Sequence, residues 1–257
     1  MVKKAFKYIY VTLLYLFLYL PIFLLIIYSF NDSKYRGNWS GFTFRWYQEL
    51  FRDRTIVAAL YNTFTIALLA SLIATIIGTV SAIAIHNMSP RSKVFFMNIT
   101  YLPVLNPDIV IGISLLALFV WMQLKLGFVT LLLAHITFNI PYVILAVLPK
   151  LKQLNPHLEE AALDLGATPM QAFLKVILPE IMPGVITGAL LAFTLSLDDF
   201  MVSFFTTGSG VNTLSIKIYS MTKLGVSPKI NALSALLFVG VISMLGILQA
   251  RIRKIYD

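Results

Sequence analysis

Three carboxylates stand where the surrounding sequence is apolar. Asp198 and Asp199 lie in LSLDDFMVSFFTTG, and Asp108 lies in LNPDIVIG. An ionised carboxylate at the centre of a bilayer costs about 2.5–3.5 kcal/mol even on the mild insertion scale, so such groups face a cavity, a partner or water. Two readings stay open. In one, Asp198 and Asp199 sit wet at the outer end of their apolar run, and Pro103 and Pro107 put Asp108 in an external re-entrant turn. In the other, the carboxylates line a path for a cation and attract it by direct Coulomb force. Two or three of them suit a linear polyamine, whose ammonium groups are spaced along an apolar chain. On a continuous helix Asp198 and Asp199 point about 100° apart, so one would line the path and the other would meet a neighbouring helix. Phe200, Trp121 and Tyr219 are candidates for cation–π contacts with the same solute, against the plainer reading of packing or interfacial belt.

A second constellation is Leu154 to Pro183, LNPHLEEAALDLGATPMQAFLKVILPEIMP. Asn155 followed by Pro156 predicts an N-cap with proline at the first helical position. Leu158, Ala161, Ala162 and Leu165 recur at i, i+3, i+4, i+7 and so share one face; Glu159, Glu160 and Asp164 fall on others. Gly166 supplies the left-handed residue that ends this helix. Thr168, Pro169 and Gln171 start another with a capping box, and Pro179 and Pro183 mark further bends. The apolar face has two possible covers, the chain's own helix ends or the groove of a soluble partner.

Covalent chemistry has no visible home. No G-x-x-x-x-G-K-[ST] occurs, and no Gly precedes a Lys, so the chain does not cradle ATP phosphates by that device. His86, His135 and His157 without cysteine make no convincing metal set. Neither G-x-S-x-G nor H-E-x-x-H is present. No catalytic residue, metal ligand or cofactor is therefore assigned.

The elements that must position these groups follow from composition. Of 257 residues, 59% are apolar and 12% charged, with no cysteine and a mean hydropathy of +0.85; soluble chains have roughly 45–50% apolar and 25% charged residues. A water-soluble globule, a disordered chain and a disulfide scaffold are excluded. An all-α polytopic membrane protein remains. Six apolar runs are long enough to span as helices: Tyr8–Phe30, Ile56–Ile85, Val94–Leu124, Phe128–Leu148, Ile181–Phe205 and Ile230–Ala250. The first is too long for a signal h-region and lacks a cleavage site. The third, interrupted by Asn98, Pro103, Asn106, Pro107 and Asp108, is one span or an interfacial piece followed by a span. The net charge of +9 is scattered between the runs without a patch, which argues against nucleic acid and for anchors at the bilayer surface. An even span count puts Lys3/Lys4/Lys7 and Arg251/Arg253/Lys254 on one side, taken as cytoplasmic. The loop 31–55, with Tyr35, Trp39, Phe42, Phe44, Trp46 and Tyr47, reads as an outer aromatic belt, a docking surface, or both. Gly184 and Gly188 form a G-x-x-x-G that lets a helix approach closely, either within the chain or at a seam with a second subunit.

The order Glu160-Ala161-Ala162, Gly166, Val176, Leu178-Pro179 resembles the EAA loop of ABC importer permeases, in which most members carry Ile where Val176 stands. Over LPVLNPDIVIGISLL, LPKLKQLNPHLEEAALDLGATPMQAF and FTLSLDDFMVSFFTTG, and broadly from about residue 5 to 255, the chain resembles the C-type permease subunit of bacterial spermidine/putrescine importers. This resemblance implies six transmembrane helices in the type I ABC importer permease fold, cytoplasmic termini, and one transmembrane domain over residues 1–257, with a core at about 55–250 and a cytoplasmic EAA loop at 150–183. It implies an inner-membrane location, a second homologous permease, two copies of an ATPase that binds the ATP, and an extracytoplasmic polyamine-binding protein. Pro156–Leu165 becomes a coupling helix, with Leu158, Glu160, Ala161, Ala162, Leu165 and Gly166 in the ATPase-coupling set. The alternatives are the same permease fold importing an anion, an iron complex or a peptide, and an ion-coupled carrier using Asp198 or Asp199 as a proton relay. A membrane enzyme has no motif to support it.

Overall fold

A computed structural model describes residues 2–33, 38–223, 225 and 228–256, with the side chains of 2–5, 241 and 244–256 left aside. Tyr35 and the side chains of Lys3, Lys4, Arg251, Arg253 and Lys254 lie outside the described residues. The described chain is helical; its one isolated bridge pairs Asn31 with Phe42. It divides into two compact units, Met1–Ala58 with Lys217–Asp257, and Ala59–Ile216.

The first unit holds α1 (Val2–Tyr28), α2 (Arg45–Arg52), the start of α3 (Arg54–Asn87), the end of α11 (Leu214–Lys223) and α12 (Pro228–Tyr256). Here α12 packs on α1 and α2. The loop before α2 is held by polar contacts to one residue: the Asn31 side chain donates to Asn38 O (2.8 Å) and accepts from Ser40 N (2.9 Å), and its carbonyl accepts the indole N–H of buried Trp46 at 2.7 Å. Phe30 stacks on Phe42 at 5.1 Å and meets Phe44 edge-on at 5.5 Å. Trp39, Phe42 and Phe44 remain more than half exposed. Asp53 starts α3 by accepting from Thr55 N and Oγ1, and the Lys229 ammonium pairs with it.

The second unit holds most of α3, then α4 (Pro90–Leu105), α5 (Asp108–Trp121), α6 (Phe128–Gln153), α7 (Leu158–Asp164), α8 (Pro169–Ala172), a π-helical turn (Phe173–Ile177), α9 (Leu178–Asp198) and α10 (Met201–Thr206). Its centre is the pairing of α6 with α9, around Val143, Val147, Leu151, Ile181 and Ala192, with Ala82 and Ile85 of α3. Two glycines permit this approach. A β-carbon on Gly188 would lie 3.2 Å from the Cα of Val143, and one on Gly184 3.0 Å from the carbonyl oxygen of Ala146. The G-x-x-x-G is therefore a seam within the chain.

Four helices are long and apolar enough to cross a bilayer among the described residues: Phe6–Tyr28, Arg54–Asn87, Phe128–Gln153 and Pro169–Asp198. A fifth is reached if α4 and α5 count together, and Pro228–Gly240 is a shorter apolar stretch. Two expected spans are broken. The run 94–124 bends by 107° between Leu105 and Asp108, because Pro107 has no N–H and drives Asn106 to extended backbone (φ −84°, ψ 147°). The run 181–205 stops being one helix at Asp198; Asp199 is extended (φ −58°, ψ 128°) before α10 begins. Asp198 and Asp199 thus do not share a continuous helix, and the 100° argument for their directions gives way to a break between them.

Candidate functional site

The two breaks come together. Gly112, one turn after Asp108 on the same face of α5, meets α10: a β-carbon there would lie 2.9 Å from the Phe205 ring, 3.1 Å from Met201 O and 3.4 Å from the Val202 Cα. Met201 follows Asp199 by two residues, so this seam carries Asp108 toward the α9–α10 break. Asp108 and Asp199 both lie within charge–charge range of Asp198, and Asp108 within that of Tyr142. Asp108 and Asp198 are exposed. Neither has a basic side chain within ion-pair distance among the described residues. Phe200 sits in the break, its ring 5.5 Å from that of Phe204. Trp121 lies at the opposite end of α5, about 20 Å from Asp108 at the helical rise of ~1.5 Å per residue, and Tyr219 belongs to the first unit, where the Lys223 ammonium stands 4.8 Å from its ring centroid. Within the second unit the structure groups Asp108, Asp198, Asp199 and Phe200, and leaves Trp121 apart from them.

Asp199 differs from its neighbour. Its side chain is only 8% exposed, and its oxygens accept the N–H groups of Val202 (3.2 Å) and Ser203 (2.7 Å). This caps the first turn of α10, whose orphan donors would otherwise be buried unpaired. His135 of α6, fully buried, has Nδ1 3.1 Å from Ser196 Oγ and Nε2 3.0 Å from Ser203 Oγ, and Nε2 is 3.5 Å from Asp199 Oδ2. Asn139 donates its amide to Ser196 Oγ at 2.8 Å. Which ring nitrogen donates follows the tautomer, and in either one Nδ1 faces Ser196 while Nε2 faces Ser203 and Asp199. Further along, Thr130 Oγ1 donates to Thr206 O at 2.8 Å. The sequence reading missed His135, Asn139, Ser196, Ser203 and Tyr142. A signal was present: His135, Asn139 and Tyr142 recur at i, i+4, i+7 in an apolar run, a polar stripe on one helix face.

The loop after α6 forms a short helix, a sharp turn and a second helix. α7 is shorter than expected. Asn155 does not cap it; its side chain accepts the His157 N–H at 3.0 Å in a local turn, and the helix starts at Leu158. Gly166 is left-handed at φ +85°. Its N–H donates to Leu163 O (2.9 Å) and that of Ala167 to Ala162 O (3.1 Å), the paired bonds of a Schellman motif. The Thr168–Gln171 capping box forms in both directions, at 3.0 and 3.3 Å. The expected single apolar face is split. Ala162 is buried, and Leu158 turns inward with Phe173 and Ile177 onto a cavity of about 490 Å³. Ala161 is exposed, as is Leu165 at 89%. Glu160 is exposed beside His157 Nδ1 at 3.0 Å. The π turn then joins α8 to α9 without a break, so the turn at Gly166 and the break at Asp198 lie at the two ends of one helical segment, Pro169–Asp198.

Residues 74–254 match the family described as binding-protein-dependent transport system inner membrane component. The chain belongs to this family. It is accordingly an inner-membrane protein, and its relatives are permease subunits. It is 43% identical to the spermidine/putrescine transport system permease protein PotC of Escherichia coli K12, over 90% of this chain and 87% of the relative. It is 40% identical to the putrescine transport system permease protein PotI of the same organism, over 98% and 94%. A solved bacterial ABC transporter involved in importing the acidic polysaccharide alginate contains a chain of the same fold, at a TM-score of 0.71 and 19% identity over 96% of this chain and 93% of that one. The fold is that of type I ABC importer permeases.

Proposed function

We propose that this chain is the permease subunit of an ATP-driven importer for polyamines of the spermidine/putrescine class and forms half of the translocation path with a second, homologous permease. The observation that carries the proposal is the convergence of Asp108 and Asp198 at two helix breaks, both exposed and without a cationic partner among the described residues. Irregular backbone at membrane depth is tolerated where it lines a cavity or is buried in protein, and broken helices are where transporters place their solute sites. The alginate importer carries an acidic polysaccharide on the same fold, so the fold is neutral about the sign of the solute. The two carboxylates set it toward a cation, in line with the substrates named for PotC and PotI. Phe200 supplies a π face beside them, and Trp121 one further along α5.

The chain itself performs no covalent chemistry in this reading. ATP is bound by two copies of a separate ATPase in the cytosol, on the same side as both termini. They grip α7 on its exposed side, at Glu160, Ala161 and Leu165, while Leu158 and Ala162 fasten it to the chain. Gly166 and the capping box make the turn stiff enough to pass the motion along Pro169–Asp198 to the break. An extracytoplasmic polyamine-binding protein delivers the solute, and residues 1–257 act as one transmembrane domain. The test is uptake by the reconstituted complex, with labelled spermidine competed by putrescine and by sulfate. Saturable spermidine uptake that putrescine suppresses and sulfate does not is the expected result. Saturable sulfate uptake without spermidine uptake overturns the assignment.

A further inference from the structure

The cation path described above does not use His135. An imidazole buried in an apolar surround is costly unless both nitrogens are paired. His135 is 1% exposed and lies against Phe138, with ring centroids 5.2 Å apart. Both nitrogens are paired, and their partners lie on opposite sides of the α9–α10 break. Ser196, at 3.1 Å, belongs to the last turn of α9; Ser203, at 3.0 Å, belongs to α10, and Asp199, at 3.5 Å, stands at the break itself. One side chain of α6 therefore ties two half-helices that share no continuous backbone bonding. Asn139, also fully buried, adds a second tie from α6 to Ser196. Asp199 is turned into this cluster with both oxygens engaged, whereas adjacent Asp198 is on the exposed side.

We propose that His135 is a positioning residue of the cation path. By clamping Ser196 to Ser203 and Asp199 across the break, it sets the direction in which Asp198 presents its carboxylate. Asp199 belongs to the clamp, and the cation-contacting pair is Asp198 with Asp108. The proposal rests on the cation-path reading, and its test separates the two.

The experiment is a double-mutant cycle on the complete transporter in proteoliposomes: His135→Leu, Asp198→Asn and both together. Maximal spermidine uptake per assembled complex is measured at saturating loaded binding protein, together with KM, the amount of complex and its thermal midpoint. A residue needed only for folding lowers the amount or the midpoint and leaves the two substitutions multiplicative. Positioning gives a different pattern. His135→Leu lowers maximal uptake per complex about tenfold with KM unchanged. Asp198→Asn, about tenfold by itself, then lowers it less than about threefold further in the His135→Leu background, because a mis-aimed carboxylate has little left to lose. Unchanged uptake per complex in His135→Leu, or full multiplication of the two effects, overturns the proposal. Normal uptake in Asp198→Asn alone overturns the cation path instead. If His135→Leu does not assemble, Ser196→Ala with Ser203→Ala replaces it in the cycle, removing both arms of the clamp while leaving the ring in place, and the same outcomes decide.

Discussion

Gly166 offers a perturbation whose cost can be assigned to the backbone alone. It holds φ +85°, and a β-carbon built there meets no atom within 4 Å, so the added β-carbon itself clashes with nothing in the rest of the described chain. What it brings is the left-handed penalty, about 1–2 kcal/mol for an ordinary L-residue, smaller for Asn and larger for a β-branched residue. That energy holds the Gly166 and Ala167 N–H groups on the carbonyls of Leu163 and Ala162. A helix of seven residues is too short to persist by propensity, so the cap decides whether α7 stays formed. A loss of 1–2 kcal/mol lowers the ratio of capped to uncapped α7 by roughly 5–30-fold. The assay is substrate-stimulated ATP turnover and uptake by the complex with its ATPase, per assembled transporter. Both are expected to fall in the order Gly, Asn, Ala, Val. Wild-type stimulation in Gly166→Val, or Gly166→Asn as impaired as Gly166→Val, refutes the reasoning that a rigid, capped α7 transmits the ATPase motion.

Three further outcomes are expected. Asp108→Asn should reduce spermidine uptake per complex while assembly is retained, and wild-type uptake would remove Asp108 from the path. Gly188→Leu should separate α6 from α9, since even a β-carbon meets the Val143 backbone at 3.2 Å; overpacking of this kind costs about 1–3 kcal/mol or more, and a thermal midpoint equal to wild type would show that the seam yields freely. The Lys229 ammonium holds the Asp53 carboxyl well below the usual carboxylate range. Because the folded pKa is depressed, the stabilisation is complete above the unfolded value of about 3.9 and is lost as pH falls below it. The thermal-midpoint gap between wild type and Asp53→Asn should therefore narrow below about pH 4, and a gap that is constant with pH would contradict the pairing.

The features legible from sequence are those set by neighbours along the chain. The Gly166 turn and the Thr168–Gln171 box close through hydrogen bonds of three to five residues, so residue types at short spacing specify them. Asn155 shows how fine the margin is: the same donor and acceptor types allow a local turn two residues ahead of the helix, and the competing bond to His157 wins. Pro107 announced a bend because its missing N–H acts locally. The break at Asp199 had no such announcement, as an Asp inside an apolar run reads equally as a buried charge or as a cap, and only the nearby N–H groups of Val202 and Ser203 show which it is.

By itself the sequence determined the helical membrane class, the punctuated loop around Gly166 and the presence of three acidic groups in apolar surroundings, because hydropathy and capping depend on composition and short spacings. Only the tertiary structure decided that α5, the helix Asp108 opens, meets α10 through Gly112, that Gly184 and Gly188 face α6, and that His135 bridges two half-helices. These depend on which helix faces which, across separations such as the 61 residues from His135 to Ser196. No residue carries that information in its own type, since the same polar side chain in an apolar run is satisfied by whichever partner the packing brings within 3 Å.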